Sequence, residues 1–141
     1  MYASAVDLGK RLKRVYNELY GDDNGAVDTG LASDDLAAAS AEIDGYLAAR
    51  YTVPVTAGAS LSILRTLCLD LASGLAWTHG PGTDTPKDVT RRADDARKRL
   101  KEYSEGALRL PDAQENASGT GACVIVKTAD PVFTPETLKG W

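Results

Sequence analysis

At 141 residues the chain has the length of one domain with a real but modest core. Hydrophobic residues make up 43%, much of it alanine, and aromatics only 6%, a balance that favours packed helices over a sandwich. A net charge of −4 and a pI near 4.9 argue against a general DNA or RNA binder, which needs a basic footprint.

Leu8, Leu12, Val15 and Leu19 recur at helical spacing and predict one helix from Ala5 to Tyr20. Ser4 is its cap, Asp7 completes a capping box, and Gly9 is its weak point. Gly21 to Gly30 reads as a loop. A second helix is predicted after Ser33, where Asp34 and Asp35 suit the positive end of the helix dipole. Leu36, Ser40, Ile43, Leu47 and Arg50 mark its stripe, with Ala39 and Tyr46 alongside. "RYTVPVTAG" reads as extended, because proline disfavours helix in the residue before it.

Leu61, Leu64, Cys68, Leu71 and Leu75, broadened by Leu67, form the cleanest stripe and predict a central third helix buried on more than one side. "THGPGTDTP" ends it. Thr85 and Pro86 open a fourth helix as cap and first residue, Val89, Ala93, Ala96, Leu100 and Tyr103 face inwards, and Gly106 is the terminator. Beyond it "LPDAQENASGTGA" is a polar linker, "CVIVK" has the pattern of a short strand, and "TADPVFTPETLKGW" is punctuated by proline. The expected fold class is all-α: a small bundle of about four helices over 1–110, then a linker and extended C-terminal arm over 111–141. Val132, Phe133, Leu138 and Trp141 make that arm too apolar to be simply disordered.

Charge is split along the chain. Asp22 to Asp44 holds seven acids and no base, whereas Lys87 to Lys101 holds seven bases and three acids. Within the fourth helix, Asp88–Arg92, Asp94–Lys98 and Asp95–Arg99 are acid-first pairs four apart, the favoured salt-bridge orientation. That pattern describes a solvated face first and a partner-binding face second, with Arg91, Arg92 and Arg99 as its candidate contacts. A basic face meeting the acidic segment of the next copy makes a heterologous contact, and such contacts close into rings.

Chemistry is poorly provided for. "GDDNGAVD" invites comparison with a calcium loop, and Asp22, Asn24 and Asp28 fall at acceptable EF-hand positions when Gly25 is sixth. Tyr20 and Leu31 then occupy the first and twelfth positions, where carboxylates belong, so a polar turn with Asn24-Gly25 at its tip is the plainer reading. His79 is the sole histidine and sits at a helix end, where it suits the negative end of the dipole. Neither a zinc cluster nor a Ser-His-Asp triad with a spare base is available by count. Asp94 and Asp95 point to different sides of a helix, Cys68 lies on an apolar stripe, and no glycine-rich phosphate loop follows a strand. The expectation is no enzyme, no cofactor and no resident metal.

Cys68 and Cys123 make no disulfide framework, no basic-then-apolar leader opens the sequence, and no stretch of eighteen or so apolar residues is evident. A soluble protein of a reducing compartment with no membrane contact is therefore expected, and the Asn116-Ala117-Ser118 sequon carries no weight.

The blocks "MYASAVDL", "GDDNGAVD", "IDGYLAARYTVPV", "LCLDLA" and "VFTPETLKGW" together resemble the small head–tail adaptor proteins of Mu-like tailed bacteriophages and prophages. The resemblance runs over nearly the whole chain, and its specific parts are Ile43–Val55 and the C-terminal block. Asp44, Gly45, Tyr46, Arg50, Tyr51 and Pro54 match the central block; Phe133, Thr134, Leu138, Gly140 and Trp141 match the terminal one. The chain departs from the pattern in its first helix, where "KRLKRVYNELY" is more basic and lacks the usual break.

The resemblance implies a structural, non-enzymatic connector in the virion neck, present in host cytoplasm during assembly. It would partner itself in a ring, often of about twelve copies, the portal protein, and a tail-side neck or terminator protein. DNA would pass its channel without specific binding. Phe133, Leu138 and Trp141 would then be the arm's anchors on a neighbour or on the portal. The competing expectation is a stand-alone cytosolic binding or regulatory module with a docking tail.

Overall fold

A computed structural model describes residues 1–80 and 84–116. Five helices follow one another: α1 (Ala5–Leu12), α2 (Arg14–Tyr20), α3 (Thr29–Leu47), α4 (Gly58–Ala76) and α5 (Lys87–Glu105). The described residues contain no strand, so the fold is all-α; "CVIVK" lies outside them, as does the rest of the chain beyond Asn116.

The single first helix expected from the periodicity is two. The break falls at Lys13, whose φ of 54° and ψ of −122° lie outside helical space, and not at Gly9. Packing explains it: α1 lies on α3 and α4, while α2 turns so that Leu19 and Tyr20 bury against α3. The capping box at Ser4 forms as expected, with Ser4 Oγ accepting from Asp7 N and Asp7 Oδ2 accepting from Ser4 N.

The next helix begins at Thr29, ahead of the position expected after Ser33. Asp28 is extended and its Oδ1 accepts from Leu31 N at 3.0 Å, so it takes the cap. The Ser33 hydroxyl instead donates to Thr29 O inside the helix. Asp35 thereby moves from the first turn into the second, and it is buried.

Leu36, Ser40, Ile43 and Leu47 face the core as predicted; Arg50 falls beyond the helix. In α4, Leu64, Leu67, Cys68 and Leu71 are buried, and the helix packs on α1, α3 and α5. Alanines at 32, 39, 72, 76, 93 and 96 let the helices approach closely. By length and composition alone, α4 is apolar enough to cross a membrane, which the sequence inspection missed. Yet its Arg65 and Asp70 are ion-paired to Asp7 and Arg11 of α1, and three helices cover it.

Ala57 gives α4 no side-chain cap. The cap arrives from far along the chain: Asp112 Oδ2 accepts from Ala59 N, and Asp112 N donates to Ser60 Oγ, both at 3.3 Å. Pro86 is the cap residue of α5, one position later than expected, and Thr85 makes no capping bond. Gly106 ends α5 in the left-handed conformation, φ 84°, as predicted.

Candidate interaction surfaces

Because α3, α4 and α5 alternate in direction, the bundle has two poles. At one lie the end of α3, the start of α4 and the end of α5; at the other lie the start of α3, the end of α4 and the start of α5.

The first pole is a clasp built on the Ile43–Val55 block. Tyr2 donates its hydroxyl to Asp44 and accepts from Val55 N at 3.1 Å, which ties the N-terminal residues to α3 and the extended segment. Burial, then the bond to Asp44, pushes the Tyr2 phenol up to about 12. Tyr51 is 1% exposed, and its hydroxyl accepts from Leu110 N. Residues 111–116 run back along the same segment. Thr52 N donates to Gln114 O and Asn116 N to Arg50 O, both at 2.8 Å, and Tyr51 and Glu115 form an antiparallel bridge. Arg50 pairs with Glu115 at 3.2 Å, and its guanidinium occupies the space that a side chain on Gly106 would need. The stretch read as linker is thus bound to the bundle as far as Asn116.

The second pole holds a network that sequence reasoning missed. Asp35 accepts from Tyr20 OH at 2.6 Å and contacts His79 Nε2 at 3.0 Å, joining α2, α3 and the end of α4. Burial and the Asp35 bond raise the Tyr20 phenol well above its ordinary range. His79 therefore meets a carboxylate, which the dipole argument for a histidine just past the end of α4 did not foresee. The only available signal was an acid set among the apolar residues of a helical stripe.

At this pole the calcium candidates serve the backbone. Asp22 Oδ1 accepts from Asn24 N at 2.9 Å and Ala26 N at 2.8 Å, Gly25 takes φ 80° as its turn requires, and Asp28 caps α3. Asn24 is exposed on the same turn. Among the described residues no three His, Cys, Asp or Glu side chains group as metal ligands.

The basic face of α5 pairs differently from expectation. Asp88 meets Arg91 at 3.3 Å, not Arg92, and Asp94 meets Arg97, not Lys98. Arg97 also reaches Glu42 of α3 at 2.8 Å, so the acidic segment and the basic helix already touch within one copy. Arg91, Arg92 and Arg99 are exposed. Arg99 borders a shallow depression with Ile63 and Leu67.

Arg92 lines a hollow of about 180 Å3 between α1, α2, the second half of α4 and α5. Leu12, Val15, Trp77 and Val89 make its apolar lining, and Arg11, Asp70 and Ser73 line it as well. Phe133, Leu138 and Trp141 lie outside the described residues.

Comparison with known proteins adds two findings. The family model described as "Bacteriophage Mu, Gp36" matches residues 2–126. The chain is also similar to gene product J of Escherichia phage Mu, 28% identical over 144 positions that take in 99% of this chain and 98% of that protein.

Proposed function

This chain belongs to the bacteriophage Mu Gp36 family, and on that premise we propose that it is a structural head–tail connector of a Mu-like phage or prophage. Copies associate in a ring on the portal vertex, join the capsid to the tail-side neck protein, and leave a channel through which DNA passes without specific binding. Its place is the virion neck, reached from the host cytoplasm during assembly.

The observation that carries this reading is the end-to-end likeness to a Mu protein, which takes in 99% of this chain, together with the family match over residues 2–126. The architecture suits the role. Asp35, Asp44 and Glu42 of α3 are each engaged in hydrogen bonds, to Tyr20 of α2, to Tyr2 of the N-terminal residues and to Arg97 of α5. Cations stand outward on α5, available to an acidic neighbour. The arm supplies Phe133, Leu138 and Trp141, and aromatic anchors of this kind carry a large share of interface energy.

Deleting residues 130–141 tests it. The bundle and its clasp, which end at Asn116, should fold with unchanged helicity, while heads and tails accumulate unjoined. Normal particles from the truncated chain would overturn the assignment. Reversing Arg91, Arg92 and Arg99 together should weaken self-association on the portal and remove its salt dependence, as read by sedimentation.

A further inference from the structure

We propose that α5 is a self-association helix: two copies of this chain meet along it, antiparallel and related by a two-fold axis, with acids of each helix seated among bases of the other. The inference concerns the free chain and stands whether or not the connector reading does.

Pattern is the first argument. Asp88, Asp95 and Glu102 recur every seven residues, so they form one row along α5, about 10 Å apart. Arg91 and Lys98 lie three residues after an acid, and Arg92 and Arg99 four after, which sets a row of bases on each side of the acids. A helix surface receives a neighbour's side chain in a hole of four residues, spaced i, i+3, i+4 and i+7. Here the holes are Asp88-Arg91-Arg92-Asp95 and Asp95-Lys98-Arg99-Glu102, each with two bases across its middle. In an antiparallel pair, Asp95 of the second copy enters the first hole and Asp88 of the second copy enters the other. The two-fold axis repeats both contacts, so four carboxylates each meet two cations. A symmetric parallel pair would set each acid against its own image, and like charges repel. The charges therefore select the antiparallel arrangement.

Availability is the second. Ala93, Ala96, Leu100 and Tyr103 face the core, and Asp88, Arg91, Arg92, Asp95, Lys98 and Arg99 are exposed. Within the chain the face is hardly neutralised. Asp88 and Arg91 pair at 3.3 Å with both side chains more than 70% exposed, whereas Arg92, Asp95, Lys98 and Arg99 have no ion-pair partner among the described residues. Arg97, which reaches α3, is the cation already committed, to Glu42 and Asp94.

The third argument selects the occupant. A partner helix must bring carboxylates about two turns apart to match bases spaced by seven residues. The acid-only helix α3 does not: Asp34 is exposed, but Asp35 is buried against Tyr20, and Glu42 and Asp44 are bonded to Arg97 and Tyr2 of their own chain. Asp88 and Asp95 of a second α5 have the required spacing. Such a contact is isologous, so association stops at two copies. Exposed pairs contribute little singly, which makes the dimer weak and sensitive to salt. It also covers Arg91, Arg92 and Arg99, so the pair must part before those side chains can meet any other neighbour.

Sedimentation of the full chain, without portal or particles, tests the proposal. A concentration-dependent dimer is expected at low salt, its dissociation constant rising about tenfold between about 0.05 and 0.5 M salt. Arg91→Glu with Arg92→Glu makes the first hole wholly acidic and should weaken the dimer about tenfold or more, with helicity unchanged. Adding Asp95→Lys to that chain should restore the dimer, because a reversed side chain then meets a reversed hole on both sides of the axis. Asp34→Lys makes the same charge change on α3 and should restore nothing. Separately, with Cys123→Ser, chains carrying Lys98→Cys and chains carrying Asp88→Cys should be joined to one another by a short bismaleimide, and neither kind to itself. A chain that stays monomeric at low salt, or cross-links of like with like, would overturn the proposal. Rescue by Asp34→Lys would make a neighbour's α3 the partner surface and overturn it too. Head–tail joining is decided by the truncation above, so the two readings fail separately.

Discussion

Replacing Gly106 by alanine tests the clasp at its tightest point. Two costs combine there. The residue sits at φ 84°, where an L side chain costs about 1–2 kcal/mol relative to glycine. An added Cβ also collides with the Arg50 guanidinium, which must move away from Glu115. That ion pair is partly exposed and contributes about 0.2–1 kcal/mol. The total, about 1.5–3 kcal/mol, corresponds to about 5–10 °C in Tm for a domain of this size. Urea unfolding of Gly106→Ala, Arg50→Ala and the double variant separates the two costs. Once Arg50 is alanine the collision disappears, so Gly106→Ala should cost only its backbone share, and the two substitutions should be non-additive by several tenths of a kcal/mol or more. Equal losses in both backgrounds would refute the steric part. A loss under about 0.5 kcal/mol in the parent would refute the whole argument.

Lys13→Gly should stabilise the protein by about 0.5–2 kcal/mol, because relief of the positive-φ backbone exceeds glycine's entropic cost; a lower urea midpoint would contradict the break at Lys13. Asp35→Ala leaves the buried Tyr20 hydroxyl without its acceptor and should cost about 2–4 kcal/mol, whereas Asp35→Asn keeps an acceptor and should cost less. Tyr2 is neutral in the fold and its phenol is raised to about 12, so its contribution is complete below pH 10 and is lost as pH climbs to 12. Tyr2→Phe should accordingly flatten that alkaline limb in pH-dependent unfolding. Asp7 runs the other way: its bonds to Arg65 and then to Ser4 hold the carboxyl down to about 2, so its share is present above about pH 4 and lost on acidification towards 2. Asp7→Asn should remove that acid dependence. Calorimetry with calcium should register no micromolar binding at Asp22, Asn24 and Asp28, since two of these carry backbone hydrogen bonds.

The sequence made the buried faces readable because helical burial repeats every three to four residues, and α3, α4 and α5 each bury long stretches of that repeat. Gly106 was readable for a local reason as well, since few other residues end a helix in the left-handed region. What escaped was set by distant partners. Two residues, Asp28 and Ser33, could each cap the start of α3, and only the extended backbone at Asp28 decides between them. Asp35 looks like any first-turn acid until Tyr20 and His79, 15 and 44 residues away, close over it. Arg97 leaves the local charge pattern of α5 for Glu42, 55 residues distant. Lys13 adopts a backbone that its own preferences oppose, because burying Leu19 and Tyr20 requires the turn. Residues 111–116 show no periodicity for a different reason: they are held by scattered polar ties, from the side chains of Asp112, Glu115 and Asn116 and from the backbone at Gln114 and Asn116, which follow no helical or strand repeat.

The clasp brings Tyr2 and Asn116 to the same pole, and that gives the folded chain a readable direction. A small label inserted before Tyr2 marks that pole, while one inserted in the turn at Asn24-Gly25 marks the other, about a helix length away. In images of assembled particles the two labels would appear at different heights along the particle axis if the helices stand upright. They would appear at different radii if the helices lie flat in the plane of a ring. Two insertions would thus give the orientation of the subunit before any side chain is seen.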